Sequence, residues 1–183
     1  VIYMSVNFYG EVWVIDHSTS TAQSATSSGG NYNKGGDLIY RFGNPTAYNH
    51  TMGQRILYNN HYPNLIERNV PGKGNMLIYN NGSNISQSTV YEVILPTNFS
   101  LSTTASNEPT IAWSFTNSDL FYDKLSGAER LKNGNTLITE GDYGYWEVTP
   151  DKQVVWKYKA SNITVWRGYN YYESDPAIIN LAQ

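Results

Sequence analysis

One strand order written three times along the chain limits its fold more than any other feature. Gly74-Asn75-Met76-Leu77-Ile78 returns as Gly134-Asn135-Thr136-Leu137-Ile138. An aromatic-Glu-Val run follows each, as Tyr91-Glu92-Val93 and Trp146-Glu147-Val148. Each unit then closes on two small or apolar residues and two aromatics set one residue apart: Ile111-Ala112-Trp113-Ser114-Phe115 and Val154-Val155-Trp156-Lys157-Tyr158. The chain opens on the same order, with Ile2-Tyr3-Met4, Val12-Trp13-Val14-Ile15 and Leu38-Ile39-Tyr40-Arg41-Phe42. Self-similarity of this kind is the mark of a repeat fold. The units fall at about 1–46, 54–116 and 127–160, and 161–183 is a closing segment.

Each unit reads as a small antiparallel sheet. Gly and Asn tolerate positive φ, so Asn133-Gly134-Asn135 predicts a tight turn into a strand over 136–139. The 16 Tyr and 5 Trp, with Val, Ile and Thr, suit pleated and half-buried surfaces. A sheet of three or four strands cannot bury both of its faces alone, whereas sheets stacked around an axis can. The expected fold is therefore all-β, a β-propeller with about three four-stranded blades, forming one partial domain over 1–183. A β-sandwich would explain the number of strands but not their repeated order. Three blades are fewer than the four to eight of a typical closed ring. The remaining blades are expected from the same chain or from other copies. The first strand begins at once at Val1, which reads as an internal segment of a longer chain. Residues 18–36 and 96–109 are polar insertions, expected as surface loops.

Several function classes are excluded on composition. Net charge is −3 with no basic run, which argues against a nucleic-acid partner. No apolar stretch approaches the ~20 residues of a membrane-spanning helix. There is no cysteine, hence no disulfide, thiolate metal site or thiol nucleophile. No phosphate-binding loop, dinucleotide fingerprint, zinc-protease motif or calcium-loop spacing occurs, and neither cofactor nor metal is expected.

Five segments together resemble the arylsulfotransferase-like propellers. They are Trp13-Val14-Ile15-Asp16-His17-Ser18-Thr19; Gly35-Gly36-Asp37-Leu38-Ile39-Tyr40-Arg41-Phe42-Gly43-Asn44-Pro45; Gly72-Lys73-Gly74-Asn75 with Ile78-Tyr79-Asn80-Asn81-Gly82; Ser126-Gly127-Ala128-Glu129-Arg130-Leu131-Lys132; and Glu147-Val148-Thr149-Pro150 followed by Val154-Val155-Trp156-Lys157-Tyr158. The resemblance spans nearly the whole chain and implies the C-terminal half of a six-bladed ring. It also implies a reaction, transfer of a sulfuryl group from a phenolic ester to another phenol without a nucleotide cofactor. In that family a histidine accepts the sulfuryl group and cationic side chains meet its oxygens. The chemistry suits those residue types, because a neutral imidazole is a competent nucleophile and the transferred group carries negative oxygens.

Carried onto this sequence, the resemblance selects His61, Arg130 and Arg167 as candidate catalytic residues, expected to converge on one central pocket. His61 lies in Asn60-His61-Tyr62, where the family pattern has Gln-His-Asp, so the carboxylate that would orient the ring is absent. The family's arginine after Asn-Asn-Gly is also missing, since 83–89 contains none. His17 reads as part of a turn tied by Asp16 and Ser18, and His50 as an exposed loop residue. Arg130 and Arg167 have a structural alternative, an ion pair with Glu129, Glu140 or Asp142. Arg41 and Arg55 complete the cations of interest.

Five Asn-x-Ser/Thr sequons, at Asn49, Asn81, Asn84, Asn98 and Asn162, fall in predicted turns or loops and are candidate glycan sites of a secreted, extracellular or periplasmic protein. Two functional readings stay open. One is a sulfuryl transferase acting on phenolic sulfates and phenols. The other is a non-catalytic extracellular glycoprotein propeller serving as a structural, filament or glycan-binding module. A quinoprotein-like dehydrogenase would need a cofactor-stacking Trp and calcium ligands that have no clear place here.

Overall fold

The computed structural model describes residues 1–67 and 69–181, so the last two residues of the closing segment lie outside it. The fold is all-β, built of three antiparallel meander sheets. The first holds β1 (Ile2–Val6), β2 (Glu11–Ile15) and β3 (Leu38–Phe42). The second holds β4 (Asn60–Leu65), β5 (Met76–Asn80), β6 (Thr89–Ile94) and β7 (Thr110–Phe115). The third holds β8 (Gly127–Arg130), β9 (Thr136–Glu140), β10 (Gly144–Val148) and β11 (Val154–Lys159). Two single-turn helices, α1 (Thr21–Ser24) and α2 (Pro176–Ile179), lie outside the sheets. No helix among the described residues is long and apolar enough to cross a membrane.

The register makes the repeat physical. Leu77 pairs with Glu92 as Leu137 pairs with Glu147, and Tyr3 takes the same place opposite Val14. A β-bulge then interrupts the next pairing at one equivalent step in all three sheets: after Val14, after Glu92 and after Glu147. Bulges bend a strand and raise its twist, so each sheet turns its last strand in the same sense. The Gly-Asn motif has a matching role. Asn75 Nδ2 donates to Glu92 Oε1 at 2.6 Å, and Asn135 Nδ2 to Glu147 Oε1 at 2.6 Å, which locks each hairpin to the strand beside it.

The same register corrects one expectation. By equivalence β1 corresponds to β5 and β9, the second strands of their sheets. Among the described residues the first sheet thus has three strands, not four, and no counterpart of β4 or β8.

Two hydrophobic layers join the sheets. Val12, Val14, Tyr40 and Phe42 of the first sheet pack against Met76, Ile78 and Val93 of the second. Leu77, Tyr79, Val90 and Phe115, on the other face of the second sheet, pack against Ala128, Ile138, Trp146 and Val148 of the third. Alternate residues of β5 thus serve opposite interfaces, as the two-residue period of a strand dictates. Ile138 is fully buried, and Ile138→Ala would cost about 2–5 kcal/mol. At the seams β1 lies against β4, and β8 lies against both β4 and β5.

The loops are more ordered than their composition suggests. Residues 18–36 form an exposed loop containing α1, whose N-cap Ser20 and Gln23 make a reciprocal capping box. The 96–109 insertion folds back over the segment after β3. There it covers His50, which is buried rather than exposed: its Nε2 lies 2.9 Å from the Ala105 carbonyl and its Nδ1 3.4 Å from Glu108.

Candidate functional site

His61 stands near the start of β4, and its ring is held from behind. Nδ1 lies 2.8 Å from Asn81 Oδ1. The orientation of that amide is set independently, because Asn81 Nδ2 donates to the carbonyls of Tyr122 at 2.7 Å and Leu125 at 3.2 Å. The oxygen therefore faces the histidine and Nδ1 must carry the hydrogen. In its neutral form the ring then keeps its lone pair on Nε2. Asn81 thus supplies the orienting group that Asn60-His61-Tyr62 lacks next to the histidine. It sits in the turn after β5, where Gly82 has φ +64° and a Cβ would come 1.8 Å from the Gln87 carbonyl oxygen. Only glycine closes that turn.

A cavity of about 200 Å³ opens beside the ring, lined by His61, Tyr62, Leu125, Ser126, Trp166 and Arg167. Its wall draws on three stretches of chain: the start of β4, the residues just before β8, and the closing segment. Three of its six residues have left-handed backbone without being glycine: Tyr62 at φ 52°, Leu125 at 53° and Ser126 at 79°. Such conformations cost of order 1–3 kcal/mol each and gather where the surroundings hold them for use.

Arg167 and His61 line this cavity together. The Arg167 guanidinium lies 4.7 Å from the Tyr62 ring centroid and joins no ion pair among the described residues. Tyr62 Oη donates to Glu129 at 2.8 Å. Burial, then the adjacent Glu129 carboxylate, push the Tyr62 hydroxyl well above the usual phenol range, so the ring stays protonated.

Arg130 is placed differently. Its Nη2 bonds Glu92 Oε2 at 2.5 Å and its Nη1 the Gly134 carbonyl at 3.0 Å, with Trp113 stacked on the guanidinium at 5.2 Å. The carboxylate partner is Glu92 on the neighbouring sheet, not Glu129, Glu140 or Asp142. Arg130 instead lines a second cavity of about 310 Å³, with Asn64, Glu129, Lys132, Tyr169 and Tyr172, on which Tyr62 also borders. His61 and Arg167 thus line one cavity, and Arg130 lies outside it. Arg41 is spent on buried Glu11, and Arg55 on the Leu57 carbonyl and the Tyr58 ring. His17 is exposed, beside a turn in which Asp16 Oδ1 accepts from the Ser18 amide and hydroxyl.

The sequon residues divide in the same plain way. Asn49, Asn84, Asn98 and Asn162 are exposed. Asn81 is fully buried, and the amide nitrogen a glycan would occupy holds two backbone carbonyls. Its assignment as a glycan site is therefore corrected to an orienting residue for His61. Its reading as a sequon hid that role.

Comparison with family models, curated proteins and solved structures gives no match to this chain.

Proposed function

We propose that the chain is part of an arylsulfotransferase-like β-propeller and that the His61 cavity carries out sulfuryl transfer between phenolic esters and phenols. The observation that carries this reading is the presence, in one aromatic-lined cavity, of an oriented imidazole and a guanidinium with no ion pair among the described residues. In the proposed reaction His61 Nε2 attacks the sulfur of an aryl sulfate. The N–S bond forms as the S–O bond to the ring breaks, and the electron pair leaves on the phenolate, which takes up a proton from water. A phenol acceptor then attacks the same sulfur, loses its proton, and returns Nε2 to its starting form. Arg167 meets the sulfuryl oxygens, whose charge is best matched by a planar donor. Tyr62 and Trp166 offer ring faces for the phenol. The repeated register and bulge support the propeller reading, and the exposed sequons support a secreted setting.

The test is turnover of a nitrophenyl sulfate with a phenol acceptor. We expect His61→Ala to abolish it, and Arg167→Ala to lower kcat by about 100-fold, the scale of losing one charge-stabilising donor. Equal rates for wild type and His61→Ala would remove the histidine from the mechanism.

A specific observation also favours the non-catalytic reading: Arg130 is consumed by Glu92, which leaves the His61 cavity one arginine. On that reading the cavity binds an aryl sulfate or sulfated sugar without turning it over. Binding of a nitrophenyl sulfate with no release of nitrophenol would mark this case.

A further inference from the structure

The second cavity, of about 310 Å³, has no part in the proposed sulfuryl transfer, and it shares only Tyr62 with the His61 cavity. Its wall draws on β4, β8 and the closing segment. Its size falls at the low end of the ~300–1,000 Å³ of small-molecule sites, which leaves room for about one substituted ring.

Three tyrosines supply ring faces. Tyr62 and Tyr169 meet edge to face, with centroids 6.5 Å apart and planes at 88°. Tyr169 is 55% exposed, so a large aromatic surface stands open beside a polar wall. The Tyr172 hydroxyl accepts from the Lys132 amide at 2.8 Å, and the Lys132 ammonium lies 3.6 Å from the centroid of the same ring.

The polar groups between these rings keep hydrogen-bonding capacity to spare. One oxygen of Glu129 accepts from Tyr62 Oη at 2.8 Å and the other from the Asn170 amide at 3.4 Å. A carboxylate can accept about four such bonds, so both oxygens retain room. Asn64 Nδ2 donates to the carbonyls of Ala128 at 2.9 Å and Tyr62 at 3.2 Å, which leaves the amide oxygen as the acceptor for a ligand. Lys132 joins no ion pair among the described residues.

The charges in the wall balance, with Glu67 and Glu129 against Lys132 and Arg130, and Arg130 is already held by Glu92. A cationic ligand would find two ring faces taken, Tyr172 by Lys132 and Tyr62 by Arg167. An anion would meet one ammonium with two carboxylates in the same wall. A neutral ring rich in hydroxyls fits instead. Its hydroxyl hydrogens suit Glu129 and Asn64, a hydroxyl oxygen suits Lys132, and its C–H face suits a tyrosine ring.

We infer that the second cavity binds a neutral pyranose sugar, stacked on Tyr169 and held by Glu129, Asn64 and Lys132. Saturation-transfer NMR and titration calorimetry of the full chain with the methyl glycosides of glucose, galactose and mannose test this. We expect transfer to the ring protons of at least one of them. Tyr169→Ala and Lys132→Met should each weaken its binding about tenfold, the scale of one aromatic or polar contact, with unchanged circular dichroism spectra. Tyr169→Phe should bind as wild type does, because stacking needs the ring and not the hydroxyl. Choline and inorganic phosphate, as charged probes, should not displace the sugar. Absence of transfer to all three glycosides, or wild-type affinity in either Tyr169→Ala or Lys132→Met, would overturn the inference. Displacement by choline or phosphate would overturn the neutral character of the ligand. Nitrophenyl sulfate turnover by wild type and His61→Ala, measured on the same preparations, reports on the sulfuryl chemistry separately from the sugar site.

Discussion

At the scale of single residues, the candidate site depends on one side chain that its sequence motif disguises. Asn81, itself fully buried, connects His61 to two backbone carbonyls through three part-buried bonds. Asn81→Ala removes the acceptor for His61 and the donor to two half-buried carbonyls. A hydrogen bond of this kind contributes about 0.5–1.5 kcal/mol net, so we expect a loss of stability of a few kcal/mol, measurable by urea unfolding. A second outcome follows from the same bonds. In a glycosylating host, peptide mapping of the folded protein should find glycan only at Asn49, Asn84, Asn98 and Asn162, with Asn81 bare. His61 was singled out in the sequence only by the resemblance of Asn60-His61-Tyr62 to the family pattern. Its orienting partner was not legible there. The partner comes from the turn after the next strand, 20 residues away, and only the register of β4 with β5 brings the two together.

At the scale of elements, the three sheets share local devices but differ at their interfaces. Gly-Asn at a hairpin, Glu on the next strand and a bulge after it were readable as a repeated order, because each device lies within one unit. Links between units were not. The Arg130–Glu92 ion pair spans two sheets and 38 residues, and Glu147, the equivalent of Glu92, has only Asn133 and Asn135 as partners among the described residues. That the first sheet has three strands among the described residues was equally hidden, since those three carry the full repeated order. The ion pair makes a measurable prediction. Burial pulls the Arg130 guanidinium below its usual range, while Glu92 holds it up. Arg130→Met leaves a buried carboxylate unpaired and should cost about 3–5 kcal/mol, whereas Arg130→Met with Glu92→Gln should recover most of that. The glutamine oxygen still accepts from Asn75. Because Arg130 lies outside the His61 cavity, the double variant should keep any sulfuryl-transfer activity, as a nitrophenyl sulfate assay would read.

At the scale of the whole molecule, buried carboxyl groups set how stability varies with acidity. Glu140 is 2% exposed, accepting from the Phe121 amide at 2.9 Å and Trp146 Nε1 at 2.8 Å. Burial raises its pKa above the ordinary 4.5, and these two donors offset only part of the rise. Glu108 is raised as well, chiefly by burial, with His50 and the Tyr48 hydroxyl opposing. A carboxyl raised in the folded state binds its proton more tightly there than in the unfolded chain. Its contribution is fully present below 4.5 and is lost as pH rises through the folded value. Asp16 works in the other direction. Its bond from the Ser18 hydroxyl lowers it below 3.8, so its contribution persists above that pH and is lost only in stronger acid. Together these groups predict that stability rises as pH falls from neutral towards about 4.5 and then declines as Asp16 protonates. Thermal unfolding midpoints at neutral and mildly acidic pH check the first part. Glu140→Gln should flatten the rise, since it removes one of the two raised carboxyl titrations while keeping one of the two accepted hydrogen bonds. A midpoint that falls steadily from neutral pH downwards, with the same slope in Glu140→Gln, would show that Glu140 titrates no differently in the folded and unfolded chains.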